Sequence, residues 1–371
     1  MQKRSVKCNF IQTEFDIKMS FAKNWIRKDI QLLNAYHVPE PIECLKLDAM
    51  ESPFSPNQDF EKEFLQHLSK VDINRYPEPS AREVIKSLRS LMNIDENHGV
   101  LLGNGSDELI QLIALACNEG DTILSFSPSF VMYEMIAKFS RLNYIDSPLI
   151  DFDIDLENTL QLIKETQPKL IFIAYPNNPT GNLFDKNKIK AIIESTDALV
   201  VIDEAYYAYS RDSFLDDLSN YENILLLRTV SKIGFAGARL GLMIGASELI
   251  EEFNKIRLPY NINSLTQSAA TFLLEKKEYL VEKAKEIIKE REKVYQYLLN
   301  RSEVDVYPSD ANFLLLKVAD ANHLFQFLID NNILIKNLSN AKNLDYFLRV
   351  TIGYENENDA FMSALDQYYG E

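Results

Sequence analysis

Residues 170–206 read LIFIAYPNNPTGNLFDKNKIKAIIESTDALVVIDEAY. Two apolar runs, Leu170–Ala174 and Leu199–Asp203, enclose a proline-bounded loop and an amphipathic stretch, Lys186–Glu194. Unbroken apolar runs of this length fit strands covered on both faces, and a helix-length connection sets two such strands parallel. The alternation continues outward in both directions. Val100–Gly103 and Thr122–Phe126 come before it, Ile224–Arg228 and Leu240–Ile244 after it. Helical patterns fall at Asp107–Cys117, Phe130–Phe139 and Leu156–Glu165. The runs predict an α/β fold: a large domain over about 52–260, with a mostly parallel sheet covered by helices.

Beyond Tyr260 the pattern changes. Helical stretches reach about Asn300, followed by a strand pattern at Phe313–Val318 and a helix at Ala321–Asp330. Strand patterns at Ile333–Lys336 and Tyr346–Thr351 and a helix from Glu355 complete the chain. This order predicts a smaller α+β domain, made of residues 261–371 together with the N-terminal segment 1–51.

The chain has 371 residues, with 39 Lys+Arg against 55 Asp+Glu and a net charge of −16. Such a surface repels a phosphate backbone and argues against a nucleic-acid partner. The cysteines, Cys8, Cys44 and Cys117, form no CxxC pair, and the four histidines are scattered. No metal site is expected from that spacing. No apolar run approaches the length of a membrane span and residues 1–20 carry no signal-peptide core, so a cytoplasmic protein with no membrane partner is expected.

In a parallel α/β sheet, ligands bind where the strands end at their carboxyl side. Val100–Leu102 is followed by Gly103-Asn104-Gly105-Ser106-Asp107-Glu108. That is a turn with Ser106 or Asp107 capping a helix, or a helix start open to an anion. A dinucleotide fingerprint would need glycine where Glu108 stands. Leu170–Ala174 leads into a rigid loop presenting Asn178, and Leu199–Ile202 into Asp203-Glu204-Ala205-Tyr206. A carboxylate at the end of a buried strand is a cap, half of an ion pair, or the partner of a buried cation. Ile224–Leu227 leads to Ser231-Lys232 and, seven residues later, Arg239. Desolvation and a nearby cation would both lower the lysine's pKa and make it a nucleophile. A Schiff-base lysine, an acid for a ring nitrogen and a phosphate cup are what pyridoxal phosphate requires.

The ordered motifs GNGSDE (103–108), YPNNPTG (175–181), DEAY (203–206), SKIGFAGARLG (231–241) and LRVTIG (348–353) resemble the fold-type I pyridoxal-phosphate aminotransferases. LDAMESP (47–53), RYPEP (75–79) and SPSFVMY (127–133) resemble the histidinol-phosphate-using branch of that family. The likeness runs from about Tyr36 to Gly353. It implies that Lys232 carries the cofactor, Asp203 pairs with its ring nitrogen, and Asn178 and Tyr206 hold its 3′-oxygen. It assigns the phosphate to Ser106, Asp107, Ser231 and Arg239, with Tyr76 reaching in from a second subunit of a homodimer. Arg349 would bind a substrate carboxylate, and Tyr36 would close over the substrate. The implied substrates are histidinol phosphate and the glutamate/2-oxoglutarate pair. Aromatic or other amino acids, or decarboxylation of threonine phosphate, are the alternatives on the same scaffold. Two positions depart from the family pattern. Phe130 stands where tyrosine commonly stacks on the cofactor, and stacking needs only the aromatic face. Lys336 stands where arginine is common, giving a point charge in place of a bidentate fork.

Overall fold

The computed structural model describes residues 21, 23–33, 35 and 44–370. Residues 1–42 and 43–371 form separate compact units. Within the first, the described part is largely helical, with a short helix at Lys28–Gln31.

The strands of the second unit, in chain order, are β1 (Leu45–Leu47), β2 (His98–Gly103), β3 (Thr122–Ser127), β4 (Asn143–Ile150) and β5 (Asp153–Ile154). Then come β6 (Leu170–Ala174), β7 (Leu199–Asp203), β8 (Ile224–Thr229), β9 (Gly241–Ala246), β10 (Val304–Val306), β11 (Phe313–Val318), β12 (Ile333–Asn337) and β13 (Phe347–Thr351). The larger sheet has the order β2-β9-β8-β7-β6-β3-β4-β5. Its centre, from β8 to β4, is parallel throughout. Two apolar clusters cover its faces: Ile171, Ile173, Val200, Ile202 and Leu226 face one, Leu170, Phe172, Val201, Leu225 and Leu227 the other. The alternation assigns neighbouring residues of each strand to opposite layers, so both sets are apolar and the run reads as continuous.

Two features depart from the simple reading. β9 runs antiparallel to both neighbours. Only residues 230–240 join it to β8, and they hold two 3₁₀ turns at Ser231–Ile233 and Ala236–Ala238. That is too short for a crossover helix, so the chain must reverse. β4 has no counterpart among the strands read from the sequence. Its NYIDSPLI carries Asp146, Ser147 and Pro148 and is only partly buried, because the two-residue β5 is all that flanks it outside. Near an edge, polar residues and proline are tolerated and the apolar signal fades.

The smaller sheet has the order β1-β12-β13-β11-β10. β1 joins it parallel to β12, and the other pairs are antiparallel. Its core packs against the helices Lys277–Leu299, Ala321–Asp330 and Glu355–Tyr369 through Ile287, Val294, Leu324, Leu328, Phe361 and Leu365. Among the described residues no helix is long and apolar enough to cross a membrane.

Candidate active site

The larger sheet changes winding direction at β3 and β6, and one cleft opens at the carboxyl ends of its parallel strands. Nine of the residues singled out by sequence line it: Ser106, Asp107, Phe130, Asn178, Asp203, Tyr206, Ser231, Lys232 and Arg239. Met50, Tyr133 and Thr229 line it as well and were not among them.

Asp203 ends β7 and is 5% exposed. Its carboxylate accepts from the Tyr133 hydroxyl at 2.8 Å and from the Ala205 backbone N–H at 3.1 Å. Burial pushes its carboxyl up to about 6, and those two donors work against that rise. Asp107 and Glu204, both negative, add smaller upward pushes. The structural ion pair belongs to the next residue: Glu204 meets Arg228 at 2.9 Å, both fully buried, and also accepts from the Phe214 N–H. Asp203 is thus left facing the cleft as a buried acid suited to a cation.

Lys232 lies in the first 3₁₀ turn after β8, with its Nζ donating to the Ala49 carbonyl at 3.2 Å. Burial lowers its amine to about 8, and the Arg349 guanidinium adds to that effect. Arg239, the cation expected from sequence, contributes a smaller push in the same direction. Arg349 lies on β13 of the other sheet, and nothing local in the sequence reveals its approach. The Tyr209 hydroxyl donates to the Lys232 carbonyl at 2.5 Å and pins the backbone beneath the amine.

The helix Ser106–Leu115 starts at the cleft with Gly105 as its N-cap, so no side chain caps it and the reading of Ser106 or Asp107 as a cap is corrected. Its first N–H groups are left available to an anion. Gly105 has φ +87°, and a Cβ there would fall 2.5 Å from Arg239 Nη2; one on Gly241 would fall 2.5 Å from the Ser106 nitrogen. Only glycines let the guanidinium and the start of β9 come this close to the helix end. The Thr229 hydroxyl donates to Ser231 Oγ at 2.9 Å on the same side.

Asn178 is presented by a loop that Asn177 organises. The Asn177 amide donates to the Pro128 carbonyl at 3.0 Å and to Thr180 Oγ1 at 2.8 Å, and accepts from Ser129 Oγ at 2.8 Å. Asn178 Oδ1 accepts from Arg349 Nη1 at 2.5 Å, and Arg349 Nη2 donates to the Asp48 carbonyl at 3.0 Å. Lys336 is the register partner of Arg349 across β12 and β13, and directly opposed residues project to one face of a sheet. Tyr206 packs edge-on against Phe313, with ring centroids 5.1 Å apart. Tyr76 is apart from the cleft: it is 82% exposed and stacks on Tyr260 at 4.6 Å. Tyr36 lies outside the described residues.

The model of the aminotransferase class I and II family matches residues 42–365. The chain belongs to that family. As a class I and II aminotransferase it is a transaminase with pyridoxal phosphate as its cofactor. This aminotransferase is 54% identical over 352 residues to the histidinol-phosphate aminotransferase of Vesicomyosocius okutanii, covering 95% of this chain and 99% of that relative. Among solved structures, the histidinol-phosphate aminotransferase of Clostridium acetobutylicum superposes with a TM-score of 0.79 at 26% identity, over 88% of this chain and 99% of that one. That of Sinorhizobium meliloti, in complex with pyridoxal-5′-phosphate, shares the fold with a TM-score of 0.82 at 23% identity, over 92% and 97%.

Proposed function

We propose that this aminotransferase moves the amino group of L-histidinol phosphate to 2-oxoglutarate, giving imidazole-acetol phosphate and L-glutamate. One observation carries the reading of the site: Asp203 and Lys232 line one cleft and are shifted in opposite senses, the acid up to about 6 and the amine down to about 8. The substrate is supported by the 54% identity to a histidinol-phosphate aminotransferase.

The residues present fit pyridoxal phosphate. Asp203, buried and pushed further up by Asp107 and Glu204, would take the cationic ring nitrogen, and that cation would hold the acid ionised. The uncapped helix start with Ser106, Asp107, Ser231 and Arg239 would take the phosphate. Asn178 and Tyr206 would hold the 3′-oxygen, and Phe130 would cover the ring. When bound, the cofactor supplies a carbonyl carbon for amines to attack and a ring that takes up electrons from the substrate carbon. With its amine near 8, Lys232 is about a tenth neutral at pH 7, far more than an ordinary lysine. It can therefore act as a nucleophile, and its neutral amine would accept the substrate's Cα proton and, as the ammonium, deliver it to the cofactor-side carbon that takes up the amino group. Arg349, held by Asn178 and the Asp48 carbonyl, is pre-oriented for a substrate anion.

Lys336 and Arg349, side by side in register, divide the anion binding. A charge-assisted hydrogen bond contributes roughly 1.5–3 kcal/mol, so losing one costs about one to two orders of magnitude. Arg349→Met is expected to slow both half-reactions by that amount. Lys336→Met is expected to lower kcat/KM for histidinol phosphate by about tenfold or more and to spare glutamate, and Lys336→Arg to be tolerated. Steady-state kinetics with the two substrates checks this, and an unchanged phosphate preference in Lys336→Met removes Lys336 from the reading.

Tyr76 is exposed and stacks on Tyr260, which is exposed as well. A homodimer in which Tyr76 serves the second subunit's phosphate site accounts for an aromatic pair left in solvent. Mixing Tyr76→Phe chains with Lys232→Ala chains is then expected to restore activity through heterodimers holding one intact site. With subunit exchange verified, no recovery means that the site is not shared.

Absorption spectra of the purified holoenzyme with histidinol phosphate, phenylalanine and glutamate in turn test the substrate. Histidinol phosphate and glutamate are expected to convert the cofactor to its amine form. Equal turnover of phenylalanine and histidinol phosphate would leave the aminotransferase class and remove the substrate.

A further inference from the structure

Tyr133 takes no part in the chemistry derived above, yet it is fully buried and lines the cleft. It lies one helical turn after Phe130, in the first turn of the helix Met132–Phe139. Its ring stacks on Phe172 with centroids 4.7 Å apart and planes 6° apart, and meets Phe130 edge-on at 5.5 Å and 85°. Two aromatic neighbours therefore fix the ring, and with it the direction of the hydroxyl. That hydroxyl donates to Asp203 Oδ2 at 2.8 Å, while the Ala205 N–H takes Oδ1.

We infer that Tyr133 is the positioning residue for Asp203, holding the carboxylate turned toward the cleft and favouring its charged form. Tyr133 is suited to be a permanent donor. Burial and the adjacent Asp203 push its own hydroxyl well above the ordinary tyrosine range, so it keeps its proton at any working pH. Asp203 needs such a donor, because Asp107, from the first turn of the helix Ser106–Leu115, and Glu204 both oppose its ionisation. Tyr206, also lining the cleft, is buried and neutral and brings no charge. The backbone N–H of Ala205 is the other donor, and one donor leaves the second oxygen of a buried carboxylate unsatisfied. Phe130, although in the cleft, has no hydroxyl to substitute.

The inference rests on the reading of Asp203 as the partner of the ring nitrogen, and the test separates the two. Apoprotein stability against pH needs no cofactor. Removing a donor that prefers the carboxylate costs more once Asp203 is ionised, so Tyr133→Phe is expected to be destabilised more at pH 8 than at pH 4. In an Asp203→Asn background that pH-dependent part is expected to vanish. A loss equal at both pH values, or a pH-dependent loss that persists in the Asp203→Asn background, overturns the inference and leaves Tyr133 as packing.

The holoenzyme gives a second readout. Tyr133→Phe is expected to retain pyridoxal phosphate and lose roughly tenfold to a hundredfold in kcat, with KM changed little, since Arg349 binds the substrate independently. Combined with Asp203→Asn, it is expected to add little further loss. Full additivity, or a wild-type kcat, overturns the inference. If Asp203→Asn alone is harmless while the stability profile behaves as expected, the role of Asp203 fails and the Tyr133–Asp203 coupling stands. Should Tyr133→Phe not fold, the near-ultraviolet tyrosine signal of the wild-type apoprotein is expected to titrate near pH 6 and to lose that step in Asp203→Asn. A signal that is flat in the wild type overturns the inference.

Discussion

Lys232→Ala is expected to abolish transamination, with a loss of at least about 10³-fold, while the protein stays folded. The variant loses both the nucleophile and the group that moves the Cα proton, and the proton-transfer role alone contributes about 10²–10⁴-fold. The fold should survive because the side chain is not a stabilising one. Its amine lies at about 8, below the usual 10.5, so the folded state disfavours the charged form. The sign follows from linkage: the cost is present below pH 8 and fades as the pH rises from there toward the unfolded value. The apoprotein of Lys232→Ala should therefore be at least as stable as the wild type at pH 7, and its advantage should shrink toward pH 10. Borohydride reduction of the wild-type holoenzyme should fix the cofactor to the peptide containing Lys232. Fixation on another lysine would falsify the assignment.

Asp203→Asn is expected to slow the half-reactions by about 10²–10³-fold, the scale on which an oriented electrostatic contact contributes to a transition state. The amide keeps the shape, and its oxygen can accept from the Ala205 N–H while its NH₂ donates to the Tyr133 hydroxyl oxygen in a reversed bond, but it carries no charge for a cationic ring nitrogen. The apoprotein should respond in the opposite direction. Asp203 is raised from 3.8 to about 6, so its ionised form is the disfavoured one in the fold. That cost is absent below pH 4, develops between 4 and 6, and is fully present above 6. Asp203→Asn removes it, so the variant apoprotein should be more stable than the wild type at pH 7, by up to about 3 kcal/mol at 1.36 kcal/mol per pH unit. Denaturant titrations at pH 4 and 7 read the difference. A variant apoprotein less stable at pH 7 means that Asp203 is structural.

Much of this was legible because the chemistry sits where strands end. Asp203, Lys232 and Asn178 each follow an apolar run, so their place at one edge of a parallel sheet could be read from order alone. The small sheet's strand-helix-strand-strand-helix order was legible for the same reason. What escaped the sequence depends on distance in the chain. The Arg349 guanidinium reaches Asn178 from the other sheet, and Ala49 supplies a carbonyl to Lys232 from the N-terminal side. Tyr133 was visible only as part of a motif, since a buried tyrosine and a cleft tyrosine look alike in a helical pattern. β1 and β10 were too short to show a period.

The antiparallel insertion of β9 between β2 and β8 also sets an order of events in folding. The anion cup needs the helix start at Ser106 beside Ser231 and Arg239, and they meet only once Gly103 pairs with Gly241. Such a pairing closes a long loop and is entropically late. More than half the chain must be synthesised before the cup can exist, and no earlier fragment contains it. Cofactor capture therefore follows assembly of the sheet and cannot seed it. Refolding of the denatured chain should proceed at the same rate with or without pyridoxal phosphate, which would act afterwards by slowing the return to the unfolded state.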